Sequence, residues 1–124
     1  MEKKPKPPNG RPYDLEERTF LFAKETRSFV KQLPRTVGNL EDIKQLVRSS
    51  GSVGANYIEA NESVSKKDFL LRIKTCRKES KESAYWLRLL DCGSALGLDE
   101  ECGRLITEAR ELMNIFAAIL RKSE

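Results

Sequence analysis

Apolar side chains recur every three or four residues along most of this chain, a spacing that predicts amphipathic helices rather than strands. The first helix is predicted at about 14–32. Asp14 is placed to accept hydrogen bonds from the first-turn amides, Glu17 completes a capping box, and Pro34 stops the helix. A second helix follows, for which Asn39 is the predicted N-cap.

The second helix has an unusual middle, because residues 49–55 are mostly serine, glycine and alanine. Each glycine costs about 1 kcal/mol relative to alanine inside a helix. Two interpretations stay open. Either the helix continues and a partner backbone packs closely against the small side chains, or a loop divides the helix here.

Two more amphipathic segments fill the second half of the chain. Ser65 and Asp68 give a cap signal for a third helix at about 66–95, with Gly97 as its left-handed C-terminal residue. Asp99 is the predicted N-cap of a fourth helix. Four amphipathic helices with short connections and no strand pattern predict an all-α fold, an up-down antiparallel four-helix bundle.

The first 13 residues differ in composition from the rest of the chain. They combine four prolines with four lysine or arginine residues and one glutamate, which gives +3 of the chain's total of +4. Such a mixture neither forms a helix nor buries a core. We therefore predict a flexible basic arm at 1–13 and one bundle domain at 14–124, which carries only +1.

Positive charge within the bundle is concentrated in the third helix. Residues 65–96 contain eight lysine or arginine residues against four acids, or +4, whereas residues 39–63 and 98–124 are each at −2. On a helical wheel most of these cations lie nearly opposite the apolar residues, with a tyrosine on their side. The candidate nucleic-acid-binding residues are Lys67, Lys74, Arg77, Lys78, Lys81, Tyr85 and Arg88. The alternative is an ordinary solvated lysine face.

A second surface of the third helix is a candidate subunit contact. Leu71, Trp86 and Leu89 fall outside the core-facing sector, on one flank of the helix. Exposed apolar side chains grouped in this way often mark an oligomer interface. Plain partial burial of these residues is the alternative.

Enzyme chemistry is disfavoured by what the sequence lacks. The chain contains no histidine, which removes Ser-His and Cys-His nucleophile systems, histidine general bases and histidine metal sites. Neither a P-loop nor a GxGxxG motif is present. We expect no enzyme activity, no cofactor and no metal site.

The three cysteines and one acidic residue are predicted to have structural roles, and the chain lacks a long apolar run. Cys76, Cys92 and Cys102 match neither a disulfide framework nor a metal motif and are expected to be buried. Glu59 is the most inward-looking acid and is expected to form a hydrogen bond across the bundle or across an interface, with a ligand-binding acid as the alternative. No apolar run approaches the roughly 18 residues of a membrane span. We therefore expect no membrane partner and a cytoplasmic location.

Four segments carry a resemblance to a known family: YDLEERTFLFA at 13–23, LPRT at 33–36, LVRSSGSVGANYIEA at 46–60 and ESKESAYWLRLL at 79–90. They are similar to the small four-helix-bundle proteins encoded by the intervening sequences of bacterial 23S ribosomal RNA genes. This resemblance covers nearly the whole chain and implies a ring-shaped homopentamer. It also implies a distant relationship to the accessory variability protein of diversity-generating retroelements, a basic pentamer that binds nucleic acid and its reverse transcriptase.

Two classes of function follow from these observations. The first is a non-enzymatic oligomeric scaffold that binds RNA or DNA phosphates through the third-helix cations, helped by the basic arm. The alternative is a protein-interaction module of a ring oligomer that binds no nucleic acid. By distant analogy with the retroelement protein, its partner is then expected to be a protein such as a reverse transcriptase.

Overall fold

Four α-helices and their connections make up the computed structural model, which describes residues 14–95 and 97–123. The helices are α1 (Leu15–Val30), α2 (Val37–Asn61), α3 (Lys66–Leu89) and α4 (Leu98–Ser123). No strand occurs in these two ranges, so the predicted all-α class is confirmed. The predicted basic arm at 1–13 lies outside the described residues.

The helices form a four-helix bundle in which each helix packs against two neighbours. The packed pairs are α1 with α2, α2 with α3, α3 with α4, and α4 with α1. Neighbours run in opposite directions, as the α1/α2 pair illustrates, where Thr19 lies against Gly54 and Arg27 lies against Gly51. This is the up-down antiparallel arrangement that the short connections predict.

The core consists of the apolar stripes of all four helices. Its largest fully buried apolar side chains are Phe22, Phe29, Leu46, Val53, Ile73, Leu87, Leu105, Leu112 and Phe116. Each such side chain contributes about 1.5–3 kcal/mol by leaving water. The periodicity in the sequence therefore identifies the residues that hold the bundle together.

The N-caps of the first two helices show one correct prediction and one wrong one. Asp14 caps α1, and its Oδ1 accepts a hydrogen bond from the Glu16 amide at 2.9 Å. Asn39 does not cap α2. Thr36 does, because its Oγ1 accepts from the Asn39 amide at 3.1 Å and the helix begins at Val37.

Asn39 instead ties α2 to the end of α3. Its Nδ2 donates to the carbonyl oxygens of Pro34 and Asp91, both at 2.8 Å, and its Oδ1 accepts from the Asp91 amide at 2.9 Å. These bonds hold the Asp91 backbone in a non-helical position next to Leu90, which is extended. For this reason α3 ends at Leu89 and not at the predicted residue 95.

The start of α4 also differs from the prediction. Ser65 caps α3 as expected, with its Oγ accepting from the Asp68 amide at 3.1 Å. Gly97 is left-handed, with φ +86, but it precedes α4 and is not the C-terminal residue of α3. Its carbonyl accepts from the Glu101 amide at 3.0 Å. Asp99 therefore lies in the first turn of α4, two residues after the N-cap position, which Gly97 occupies.

The small residues in the middle of α2 allow close packing, and the helix continues through them without a loop. A Cβ on Gly54 would lie 2.9 Å from Thr19 Oγ1 and 3.3 Å from Thr19 Cβ, so α1 approaches closely at this point. On the side facing α3, Ser49 Oγ and Ser83 Oγ form a buried hydrogen bond of 2.9 Å. The close neighbours of the small residues are thus α1 and α3 of the same chain.

Candidate functional site

Acidic and basic side chains occupy opposite sides of α3. Asp68, Glu79 and Glu82 lie on the side that turns toward α2, where Glu79 and Glu82 face Arg48. Most lysine and arginine residues of the helix lie on the side that turns toward α4. The segregation follows from sequence spacing, since a helix separates positions by about 100° per residue.

The acidic side of α3 is neutralised within the fold. Glu79 is only 4% exposed, and its Oε2 accepts a hydrogen bond from Arg48 Nη1 of α2 at 2.9 Å. Arg48 Nη2 also lies 3.8 Å from Glu82 Oε2. Burial, reinforced by the neighbouring Glu82, raises the pKa of the Glu79 carboxyl, although Arg48 acts in the opposite direction. This side has little net charge to offer a ligand.

The basic side opens into a groove between α3 and α4. The groove has a volume of about 570 Å³. It is lined by four of the predicted site residues together with four other side chains: Lys74, Thr75, Arg77, Lys78, Lys81, Met113, Asn114 and Ala117. No acidic residue is among these lining residues, so the structure brings the central cations of the predicted site together around one cavity.

The remaining predicted site residues lie along the same side of α3 but outside the groove lining. Lys67 lies seven residues, or about two turns, before Lys74, and Arg88 lies seven residues after Lys81. Both are exposed. Tyr85 is 53% exposed, and its ring contacts the Trp86 ring edge-on at 5.0 Å between centroids. The predicted set therefore forms a central cluster with a cation at each end.

Two arginines of α4 belong to this surface and were missed by the sequence analysis. Arg110 lies three residues before Met113, and Arg121 lies four residues after Ala117, so both share the helical strip that lines the groove. Both are exposed. We define the basic face as Lys67, Lys74, Arg77, Lys78, Lys81, Arg88, Arg110 and Arg121.

Arg110 and Arg121 were missed because the total charge of the segment that contains them, residues 98–124, is negative. Residues 98–124 sum to −2, but the acids nearest to Arg110, which are Glu108 and Glu111, turn away from the groove. Glu108 and Glu111 face α1, where Arg18 Nη2 lies 2.7 Å from Glu108 Oε1 and 3.2 Å from Glu111 Oε1. Glu101 pairs with Arg104 at 2.6 Å. Position on the helix, and not net charge, identifies Arg110 and Arg121.

No member of the basic face has an ion-pair partner among residues 14–95 and 97–123. The ion pairs found there use Arg18, Lys44, Arg48 and Arg104 as their cations. Within the described ranges, the positive charges of this surface therefore face solvent and mobile ions and not acidic side chains.

Comparisons with known proteins support the resemblance noted in the sequence. Residues 13–118 match the sequence model of the family described as 23S rRNA-intervening sequence protein. The chain belongs to this family. No curated protein matches this family member.

A solved structure has the same fold as this family member. It is a crystal structure of a protein of unknown function from the S23 ribosomal protein family of Bacteroides thetaiotaomicron VPI-5482. The two chains are 26% identical, with a TM-score of 0.72 over 86% of the present chain and 98% of the other. The comparison supports the bundle architecture.

The predicted oligomer residues of this family member differ in exposure. Leu71 is 61% exposed and Leu89 is 48% exposed, on the outer side of α3. Trp86 is half-buried and packs against the core. Its Nε1 is buried with no hydrogen-bond partner among the described residues. Contact of these three residues with another subunit stays a prediction.

The three cysteines of this family member are buried, as predicted, whereas the prediction for the acid Glu59 is wrong. Cys76, Cys92 and Cys102 are free thiols inside the bundle. Burial raises the pKa of Cys76 and of Cys92 to about 12, which keeps both protonated at neutral pH. Glu59 is exposed, so the prediction of an inward-looking acid at this position is wrong. The buried acid is Glu79.

The described ranges of this family member contain neither a metal-binding cluster nor a membrane-spanning helix. Residues 14–95 and 97–123 contain no group of three acidic or cysteine side chains that could hold a metal ion. In the same part of the chain, no helix is long and apolar enough to cross a membrane.

Proposed function

We propose that this family member binds nucleic acid through the basic face of α3 and α4. One observation carries the proposal: eight cations share one surface, and none of them is paired with an acid of the described chain. Polyanions are the natural ligands for such a surface, because phosphates replace the counterions that otherwise screen it.

An ordinary solvated lysine face is the weaker explanation, because three arginines elsewhere in the bundle, Arg18, Arg48 and Arg104, pair with acids of a neighbouring helix. Arg18 of α1 holds two acids of α4, and Arg48 of α2 holds two acids of α3. Solvated faces usually mix both signs of charge. Repulsion between cations on adjacent turns of α3 opposes folding, so a functional reason for keeping them together is favoured.

The expected mode of binding is phosphate contact along the bundle. From Lys67 to Arg88 the basic face extends about 32 Å along α3, at about 1.5 Å per residue. Lysine and arginine side chains that contact phosphates position the nucleic acid but do not read its sequence. The predicted activity is therefore binding with little sequence preference and strong dependence on salt.

Binding of a fluorescently labelled oligonucleotide by the purified protein tests this function. Affinity is expected to fall at least about tenfold between about 50 and 200 mM monovalent salt, because several phosphate contacts release counterions. Absence of binding at the lower concentration, or an affinity that salt leaves unchanged, refutes the proposal. A protein-interaction module without nucleic-acid binding is then the better account.

Self-association is the second part of the proposal, with the homopentameric ring that the family resemblance implies. A ring is built from head-to-tail contacts and so needs two different, complementary surfaces on each subunit. The outer side of α3, where Leu71 and Leu89 are exposed about 27 Å apart, supplies one of these surfaces. A groove of about 420 Å³ beside Phe20 and Gly51, between α1 and α2, supplies a second. The proposal includes no catalysis and keeps the cytoplasmic location expected from the sequence.

Light scattering on the wild type and on a Leu71→Asp/Leu89→Asp variant tests this part. We expect a multiple of the 14.2 kDa chain mass for the wild type and a loss of mass for the variant. A monomeric wild type, or a variant that keeps the full mass while remaining helical, contradicts the assignment of this interface.

A further inference from the structure

We infer that the groove between α3 and α4 holds an unpaired base of a single strand, so that the basic face prefers single-stranded nucleic acid to a duplex. The inference rests on the proposed function and adds the class of ligand. Its basis is the combination of an apolar floor with cationic walls in one cavity of about 570 Å³. Phosphate binding alone requires the cations but gives the apolar floor no role.

The floor is supplied by α4. Met113 and Ala117 are one turn apart on that helix, are half-buried, and line the groove beneath the lysines of α3. A thioether packs favourably against the edge or face of an aromatic ring. Alanine, with its small side chain, leaves the space open for a flat group. A groove of this size lies within the range of small-ligand sites, about 300–1,000 Å³.

The walls of the groove place positive charge beside that space. Lys74, Lys78 and Lys81 follow one another on successive turns of α3, with rises of about 6 and 4.5 Å. Phosphates on either side of an inserted base would lie within reach of these ammonium groups. Asn114, exposed at the rim, offers an amide donor and an amide acceptor to the edge of a base.

An aromatic side chain on α3 continues the path beyond the groove. Tyr85 lies one turn beyond Lys81 on α3, and just over half of its side chain is exposed. Its edge-on contact with Trp86 limits the freedom of the ring. Cations alternating with surfaces on which bases stack are typical of proteins that bind single strands.

A duplex cannot use these features without first being opened. Its bases are stacked and paired, and turning one out costs a few kcal/mol. A duplex therefore gains only the phosphate contacts of the basic face, whereas a flexible single strand also gains contact with Met113 and Ala117. The difference in affinity between the two forms measures the contribution of the groove.

The test uses a labelled 12-nucleotide RNA of mixed sequence, single-stranded or annealed to its complement, at about 50 mM salt. We expect the single strand to bind more tightly, and Ala117→Leu, which fills the groove, to weaken its binding about tenfold, as loss of one stacked base does. Duplex affinity should change less than about twofold, since no charge is altered. Ala118→Leu is the matched control, because it makes the same change one residue further around α4, outside the groove lining.

A second variant covers the case in which leucine at position 117 disturbs the bundle, as judged by circular dichroism and thermal melting. Met113→Ala removes the thioether from the half-buried floor and should weaken single-strand binding about threefold or more, again without effect on the duplex. Equal affinity of the two RNA forms, together with no selective effect of either variant, overturns the inference and leaves the basic face as a phosphate-binding surface. If neither RNA form binds, the proposed function itself fails.

Discussion

The seams that α2 forms with its neighbours are closed at Gly54 and at Ser49, whereas the outer edge of the seam between α3 and α4 opens into a groove of about 570 Å³, larger than the groove of about 420 Å³ beside Gly51. Against α1, Gly54 brings the backbone close to Thr19. Against α3, Ser49 and Ser83 share a buried hydrogen bond. Between α3 and α4, core side chains such as Leu105 are fully buried, yet a groove remains on the surface above them.

The charges follow the same division. Arg48 of α2 forms an ion pair with Glu79 of α3, so this cation stabilises the fold. On the open seam, Lys74, Lys78 and Lys81 meet no acid of the described residues. The comparison indicates that small residues and ion pairs stabilise the bundle at the seams of α2. The unpaired cations beside the α3/α4 groove are available to bind a ligand. Four predictions test this division, in order of decreasing effect.

Charge reversal on the open seam should have the largest effect. In the Lys74→Glu/Lys78→Glu/Lys81→Glu variant, we expect affinity for single-stranded RNA to fall at least about 100-fold, because three phosphate contacts become repulsive. Helicity and melting temperature should be nearly unchanged, since none of the three lysines supports the fold. Fluorescence anisotropy and circular dichroism measure the two quantities.

A matched control separates the face from net charge. Lys31, Arg35 and Lys44 are exposed on the α1 and α2 side, outside the groove beside Gly51, and their reversal to glutamate changes the total charge by the same amount. This variant should lose far less affinity. An equal loss in both variants means that overall charge governs binding, and the division between the seams then has no functional meaning.

Filling the closed α1/α2 seam should have the largest effect on folding. A Cβ on Gly54 would lie 2.9 Å from the Oγ1 of buried Thr19, so Gly54→Ala should lower the free energy of unfolding by about 1–3 kcal/mol. Nothing lies within 4 Å of a Cβ on Gly103 of α4. Gly103→Ala should therefore raise stability by up to about 1 kcal/mol. Both free energies of unfolding are measured with urea. If the two variants change stability in the same direction, the close approach of α1 to Gly54 is contradicted.

Removing the cation from the α2/α3 seam should cost somewhat less. Arg48→Gln leaves the Glu79 carboxyl, only 4% exposed, without its charged partner. Because Arg48 itself is half-exposed and screened by solvent, we expect a loss of about 1–2 kcal/mol. Arg104→Gln, which breaks two solvent-exposed ion pairs, with Glu25 and with Glu101, should cost about 0.5 kcal/mol. Equal losses in chemical denaturation show that burial of the acid is unimportant.

The pH dependence of Glu79 should be the smallest effect. Its pKa is raised above the ordinary 4.5, so above pH 4.5 the folded chain retains a proton that the unfolded chain has lost. Ionisation of Glu79 therefore lowers stability as pH rises through its folded pKa. In Glu79→Gln this loss is absent, and the variant should gain stability relative to the wild type between pH 4 and 7. The free energies of unfolding of the two proteins are compared at pH 4 and pH 7. A difference between them that is the same at both pH values contradicts the raised pKa.

The sequence pattern was sufficient to predict the bundle because burial and periodicity coincide in it. Phe22, Leu46, Ile73 and Phe116 recur on single faces of their helices and are all core residues. Helix ends were harder to predict. Asn39 has the residue type of an N-cap, but its amide is used by the backbone of Asp91, 52 residues away, a contact that no local pattern encodes.

The candidate site was predictable on α3 but not across the seam. Lys74, Arg77, Lys78 and Lys81 share one side of one helix, so their grouping follows from helical spacing alone. The groove requires the neighbouring helix, and its floor of Met113 and Ala117 looks like ordinary core in the sequence. Glu79 shows the opposite error, because an acid within a run of charged residues gives no sign of its burial.

The most direct test of the central claim is to locate the bound RNA. Single-stranded RNA containing 4-thiouridine is bound to the protein, irradiated with long-wavelength ultraviolet light and digested, and the cross-linked peptides are identified by mass spectrometry. The account predicts cross-links within 74–88 of α3 and 110–121 of α4, with the face formed by α1 and α2 unmodified. Cross-links confined to α1 and α2 would contradict it.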